Sequence, residues 1–472
     1  MHSGYSNIIR LLILVFLSVD TRSQGPQDYS VSGIVNGCKG DKIILSVIYG
    51  KEITPIDSTY LYKNCAFRLA FKQKDYKGLF RISVSDSNYA DIICNKENII
   101  IESDIKDLGG KMKINSSAEN KLLYFYKNKI AGINDSINML TSQGQQLYEK
   151  DPAGNATQLK KLAKQIEALD EKKRFLSDSI ILKNPQLFVS KILKASLLPD
   201  FKTYMKRKDA APYPNEAAFL KEHFFDNLDF ADSNLLHTDI IFDKIGEYFQ
   251  YFADPPTVEN YIAAIDFILI RSAVNKNVNE YIFNTLMRTF DHSDWEEVYT
   301  YVVDKYLAQN TCSDNEKAKS LAEKSSAIKS LKPGNTAPTI ISKDLAGITK
   351  DLDSLKSSYI LVVFWASWCD FCETAMPELK NIYTIYKPKG LEIFSVSLDS
   401  ITQNWIDGTT RFAIPWINTC DLKGFESPII QDYYIWRTPT YFLLDSEKKI
   451  IAKPANTAIL KEKLKTLKWG SK

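Results

Sequence analysis

The chain has 472 residues, 44% of them hydrophobic and 12% aromatic, which is enough to bury several cores and rules out an intrinsically disordered protein. Its 60 Lys and Arg residues face 57 Asp and Glu, a net charge of +3 that argues against nucleic acid or an anionic membrane surface as a partner. The count of seven cysteines is odd and excludes a framework in which every cysteine pairs within one chain.

Ile8 to Val19 form an apolar run too short to span a bilayer comfortably, followed by polar Asp20 to Gln24. This predicts a signal peptide over residues 1–23, with Thr21 and Ser23 as the small residues before the cleavage point, and hence a periplasmic or cell-envelope protein. An uncleaved N-terminal anchor is the alternative. Residues 28–115 read as an antiparallel β domain, with short alternating runs such as Phe67 to Phe71 and Phe80 to Val84 between Gly, Asn and Asp clusters. Ile43 to Ile48 and Ile99 to Ile101 are more continuously apolar, which suggests strands covered on both faces.

After Ser117-Ala118-Glu119-Asn120 the apolar period lengthens, opening a helical region over residues 116–330. Tyr126, Ile130, Ile133, Ile137, Leu140, Gly144 and Leu147 step by four and three, as do Leu159, Leu162, Ile166, Leu169, Leu176 and Ile180 with Lys173 interrupting. The turn signal Asp151 to Asn155 between them predicts an antiparallel helical hairpin. Helices with aromatic content continue to Ser330, broken at Pro255-Pro256. His223, His237 and His292 stand at no metal-ligand spacing and read as ordinary helix or loop residues.

Lys332-Pro333-Gly334-Asn335 is a linker into a last domain over residues 334–472. Here Tyr359 to Trp365 is a buried strand, Cys372 to Tyr386 a helix, Leu391 to Leu398 a second buried strand, and Thr440 to Leu444 a third with Lys449 to Ala452 as hairpin partner. An amphipathic helix follows, with Asn456 as N-cap and Leu460, Leu464 and Leu467 on one face. Such alternation gives an α/β layer fold.

Only Cys369 and Cys372 are closely spaced. Cys38, Cys65, Cys94, Cys312 and Cys420 read as small buried apolar residues, with a pair among the first three left open in an oxidising compartment. A lone C-x-x-C is a redox dithiol, half a zinc site, a haem attachment or a coincidence. Zinc needs further ligands, and the last domain has neither a second such pair nor any histidine. Haem attachment needs His after the second cysteine, where Glu373 stands. A dithiol at a strand-to-helix turn has a physical rationale, because unsatisfied N–H groups at the helix start stabilise a thiolate. Cys369 is therefore the expected nucleophile, and Cys372, one turn further in, the resolving cysteine.

Trp365-Ala366-Ser367-Trp368-Cys369-Asp370-Phe371-Cys372, then Pro377, then Thr438-Pro439-Thr440, resemble the exported TlpA/ResA-like thioredoxin family; Gly334 to Pro338 and Ser395 to Asp399 match it too. The resemblance covers about 140 residues. It implies a thioredoxin-like fold, a cis-Pro439 facing the dithiol, a Thr438 backbone that pairs with substrate polypeptide, and Trp368 on the surface around Cys369. The segment with Asp57-Ser58, Phe67 and Ser117 to Asn120 resembles the β domain of unknown function that often precedes such domains. Two family carboxylates are absent, their places taken by Val363 and Ala375, which leaves Asp370, Glu373 and Asp399 as candidate proton acceptors for Cys372. Asp370 beside Cys369 disfavours its thiolate, so the pair is expected to be more reducing than a strong oxidase.

These readings combine into a multi-domain chain with an N-terminal antiparallel β domain, a helical middle region and a C-terminal α/β thioredoxin-like fold. The expected activity is exported thiol–disulfide oxidoreduction on disulfide-bearing envelope proteins, replenished by a membrane thiol electron donor, with no metal, organic cofactor or nucleic acid. A peroxidase is a rival enzyme class, but the Thr-x-x-Cys setting of peroxidatic cysteines has Ala366 in place of Thr. The non-enzymatic rival is an envelope binding or scaffold protein with an incidental dithiol.

Overall fold

The computed structural model describes residues 28–62, 64–72, 77–309 and 315–469. The expected signal peptide and Cys312 lie outside the described residues. The chain divides into two compact units at Lys244 and Ile245.

The first unit opens with two four-stranded sheets. One runs, in spatial order, Ala66–Lys72, Asp28–Asn36, Ile99–Asp104, Lys113–Ile114; the other Glu52–Tyr60, Lys42–Tyr49, Gly78–Ser83, Tyr89–Cys94. The pairing is antiparallel except where Asp28–Asn36 lies parallel to Ile99–Asp104. Alternation does what period two requires: Phe67, Leu69 and Phe71 are buried while Arg68 and Ala70 face solvent. The same rule corrects the expectation for Ile99 to Ile101. Ile99 and Ile101 are buried but Ile100 is 45% exposed, because this sheet covers a core on one face only.

A second correction concerns Cys38 and Cys65, which form a disulfide with a Cα–Cα distance of 5.7 Å instead of packing as separate apolar residues. They end two neighbouring strands, Asp28–Asn36 and Ala66–Lys72, whose register brings Ile34 opposite Ala66. Cys94 and Cys420 are buried thiols.

Ser117 caps the long helix Ala118–Lys150, its Oγ accepting from Asn120 N at 3.1 Å. The next two residues tie the helix down. The buried Glu119 carboxylate accepts from Phe188 N and Val189 N at 2.8 and 2.9 Å and so caps the helix Phe188–Ser196. The buried Asn120 amide accepts from Ile93 N and donates to Ile93 O, both at 2.7 Å, anchoring the helix to a strand. Ala156–Lys183 returns antiparallel through the Asp151 turn, where Gly154 N donates to Asp151 Oδ1. Most of the predicted stripe is half-buried, as befits a seam that two helices form by covering one another.

In the second unit, helices Val258–Ser272, Lys276–Phe290, Glu296–Ala308 and Asn315–Ser330 precede a seven-stranded sheet. Pro255, in a cis bond after Asp254, stands in the break between Ile240–Phe252 and Val258–Ser272. The sheet runs Thr349–Asp351, Ile341–Asp344, Ile417–Cys420, Leu391–Ser397, Tyr359–Trp365, Thr440–Asp445, Ile450–Ala452. Tyr359–Trp365 is an interior strand, parallel to the middle strand Leu391–Ser397 and antiparallel to Thr440–Asp445. Ile360 through Trp365 are wholly buried, which is why this segment reads as an unbroken apolar run. Helix Thr457–Lys465 closes the fold with Asn456 as its N-cap, accepting from Ile459 N at 3.0 Å, and with Leu460 and Leu464 in the core.

Candidate functional site

The interior strand Tyr359–Trp365 ends at Trp365, a fully buried side chain whose indole N–H donates to Asn418 Oδ1 at 3.0 Å. The chain then crosses four residues and enters helix Asp370–Tyr386 with Cys369 as its N-cap. That position gives the sulfur a defined environment. Cys372 N donates to Cys369 Sγ at 3.1 Å as well as to Cys369 O at 3.0 Å, so a donor of the first turn is shared with the nucleophile candidate. Cys369 is 6% exposed and Cys372 wholly buried, and the two form a disulfide with a Cα–Cα distance of 5.2 Å.

Opposite them lies the turn into Thr440–Asp445. Thr440 is paired with Phe364 in the sheet, which carries the preceding residues to the same end of the sheet as the dithiol. The Thr438–Pro439 bond is cis, and the Thr438 carbonyl oxygen is 3.3 Å from Cys369 Sγ. Trp368 and Phe371 stand 54% and 79% exposed on either side of Cys369, with the Trp368 ring 6.2 Å from that of Phe425. A cleft of about 370 Å³ beside them is lined by Phe371, Thr374, Thr438, Pro439, Tyr441 and Thr457. The structure thus brings Cys369, Cys372, Trp368, Thr438 and Pro439 to one place.

A polar network behind the redox loop was only partly legible in the sequence. Asp399, 1% exposed, accepts from Ser367 N at 3.2 Å and from the hydroxyls of Ser367 and Ser397 at 2.6 Å each. Arg411 donates to Ser367 O at 2.5 Å and pairs with Glu373 at 3.0 Å. Of the three candidate acceptors, Asp399 is therefore buried and already holds the loop, Glu373 is tied to Arg411, and Asp370 is exposed. Val363 and Ala375 are buried apolar residues. Arg411 escaped the sequence reading because nothing in its neighbourhood marks it. Gly408 carries a signal only in space: a Cβ there would lie 2.8 Å from Ser367 Cβ and 3.1 Å from the Trp365 ring, so its absence lets helix Thr402–Phe412 close on the redox loop.

Among the described residues, the two remaining thiols, Cys94 and Cys420, are poor nucleophiles. Burial pushes the Cys420 thiol up to about 11 and the Cys94 thiol well above its ordinary range. Among the described residues, no group of three or more His, Cys, Asp or Glu side chains is placed to hold a metal ion.

Residues 333–453 match the AhpC/TSA family, and residues 212–330 match a domain of unknown function, DUF5106. The thiol-disulfide oxidoreductase ResA of Bacillus cereus is 32% identical over 126 residues, which span 25% of this chain and 68% of that protein. The chain belongs to the ResA-like thioredoxin-family thiol–disulfide oxidoreductases. The ResA of Geobacillus thermodenitrificans is 29% identical over 138 residues, 29% of this chain and 78% of that one. A thioredoxin-like protein from Bacteroides caccae is 24% identical with a TM-score of 0.45, covering 58% of this chain and 98% of its own. The AhpC/TSA segment carries Cys369, Cys372 and Pro439.

Proposed function

We propose that this ResA-like protein works outside the cytoplasm and reduces or exchanges disulfides of envelope proteins through Cys369, with Cys372 as the resolving thiol. The observation that carries the reading is the setting of Cys369 Sγ, which accepts the Cys372 N–H at a helix N-terminus while facing the Thr438 carbonyl across 3.3 Å. With the dithiol reduced, the Cys369 thiolate attacks one sulfur of a substrate disulfide. The substrate S–S bond breaks, its departing thiolate takes up a proton, and a mixed disulfide remains. Cys372 then loses its proton and attacks Cys369 Sγ, releasing the second substrate thiol and leaving the Cys369–Cys372 disulfide. Two electrons have passed to the substrate, and a membrane thiol donor restores the dithiol. The Thr438 backbone would pair with the substrate chain, and Trp368 would cover the apolar flank of its cysteine.

Export is supported by the apolar stretch Ile8 to Val19 and by the Cys38–Cys65 disulfide, since structural disulfides persist in oxidising compartments. No helix among the described residues is long and apolar enough to cross a membrane. The reading is tested by titrating the Cys369 and Cys372 thiols of the protein across glutathione buffers. A reversible two-electron transition between about −200 and −270 mV, the glutaredoxin-to-thioredoxin range, supports it. A pair that never opens or never closes, or full biological function in Cys369→Ser, would leave the fold as a binding scaffold.

A further inference from the structure

The loop between helices Lys276–Phe290 and Glu296–Ala308 lies in the stretch that matches the domain of unknown function, yet it packs on the segment leading to Pro439. Asp291 accepts from the Tyr434 hydroxyl at 2.9 Å and from Lys324 Nζ at 2.6 Å. Asp294 pairs with Arg437, the residue before Thr438. Glu296 accepts from Lys453 Nζ at 2.5 Å, and the His292 ring stacks on Trp436 at 5.8 Å with 24° between planes.

Both sides of this contact are backbone turns of unusual shape. His292 and Tyr434 each have φ of 49°, a left-handed conformation that residues with a Cβ keep only when their surroundings hold them there. A cleft of about 290 Å³ lined by Asp294, Glu296, Trp436, Arg437, Pro439 and Lys453 shares Arg437 and Pro439 with the cleft beside Phe371 and Thr374. The two clefts meet at Arg437 and Pro439, beside the Thr438 carbonyl that faces Cys369, and Asp294 and Glu296 of the helical region line one side of the first.

We propose that Asp291 and Asp294 are positioning residues of the redox centre. By holding Tyr434 and Arg437 they fix the Thr438 carbonyl and Pro439 opposite Cys369 and set the far wall of a groove that receives an extended, disulfide-bearing polypeptide. The inference rests on thiol–disulfide exchange at Cys369. It gives one loop of the helical region a part in substrate selection: a small disulfide needs only access to Cys369 Sγ, whereas a polypeptide also needs the Thr438 backbone and the wall.

The test uses the full chain, reduced beforehand, as wild type, Asp291→Asn, Asp294→Ala, and the charge exchange Asp294→Arg with Arg437→Asp. Reduction of insulin is compared with reduction of dithiobis(nitrobenzoate). The ratio of the single-turnover second-order rate constant for insulin to that for the small disulfide is expected to fall about threefold in Asp291→Asn, since the amide keeps an acceptor oxygen for Tyr434 and about half of one charge-assisted hydrogen bond is lost. The fall in Asp294→Ala should also be about threefold, a more exposed pair lost outright, with the loss carried by the half-saturating insulin concentration and reversed in the exchange variant. A ratio that moves less than about twofold in both single variants overturns the proposal, as does an equal slowing on both substrates accompanied by a lower melting temperature. Should wild type reduce neither substrate, the exchange reading fails. Positioning is then read from iodoacetamide alkylation of Cys369 at neutral pH, expected to change at least about twofold in Asp291→Asn and overturned by an unchanged rate.

Discussion

Replacing Asp399 by Ala tests whether the redox loop is held from behind. The carboxylate is 1% exposed and accepts three hydrogen bonds, from Ser367 N, Ser367 Oγ and Ser397 Oγ. Removing it deletes charge-assisted bonds of about 1.5–3 kcal/mol each and leaves buried donors unsatisfied, but the three donors relax together and the terms do not add. A total of about 3–4 kcal/mol is expected, which for a unit of this size lowers its melting temperature by roughly 6–16 °C. Asp399→Asn keeps an acceptor oxygen and should lose about half as much. Scanning calorimetry on the reduced full chain reads both. Because the chain has two units, the transition of the second is assigned by its shift in the variant, and the first serves as an internal reference. A shift below about 2 °C in Asp399→Ala refutes the argument, since a carboxylate that holds nothing costs nothing to remove. Thiol alkylation should report the consequence for function: Ser367 lies two residues before Cys369, and freeing it should broaden the range of rates at Cys369.

Three further outcomes follow from the same geometry. In the reduced native protein Cys420 should resist alkylation until the pH approaches about 11, where burial has moved its thiol. Because that folded value exceeds the unfolded one, Cys420 contributes stability that is complete below about pH 9 and is lost as pH rises to 11, at most about 2–3 kcal/mol in an alkaline unfolding series. Cys38→Ser opens a bridge between residues 27 apart in sequence and should destabilise the first unit by about 3 kcal/mol, seen in urea unfolding as a lower midpoint with no loss of the Cys369–Cys372 couple; a change under about 1 kcal/mol counts against it. Asp370→Asn removes an exposed carboxylate from the same helix start that serves Cys369, so the thiolate and with it the reduced form gain about 0.5–1 kcal/mol. The potential should then rise by roughly 10–20 mV, and a fall in the glutathione titration would reverse the assignment of Asp370 as a reducing influence.

What was legible in the sequence depended on how local the cause is. The buried strand Tyr359–Trp365 and the cap at Asn456 are written in consecutive residues, because burial on both faces and a side chain reaching three residues ahead are local conditions. Ser117-Ala118-Glu119-Asn120 was visible as a boundary but not as a mechanism. Only the fold shows Glu119 capping a helix about 70 residues on, and Asn120 satisfying Ile93 on both its backbone groups. The Cys38–Cys65 bridge was one of several open pairings, since connectivity follows from strand order and not from spacing. Ile100 misled because three isoleucines in a row look the same whether or not the second faces solvent.

The site divides along the same line. Cys369 and Cys372 announce themselves by spacing, and Thr438-Pro439 by resemblance, but the groups that keep them in register are single ordinary residues on other elements: Asp399 after one strand, Arg411 and Gly408 on one helix, Asp291 and Asp294 between two others. Each acts through one hydrogen bond, ion pair or close approach, so no motif records it. The loss of the two family carboxylates at Val363 and Ala375 sharpens the point. With apolar side chains there, the charges nearest the redox loop are Asp370 in solvent, Glu373 tied to Arg411, and Asp399 occupied with three donors. The field at Cys369 then combines the helix N-terminus, whose Cys372 N–H already touches the sulfur, and the Arg411 guanidinium held between Ser367 O and Glu373, with Asp370 opposing them.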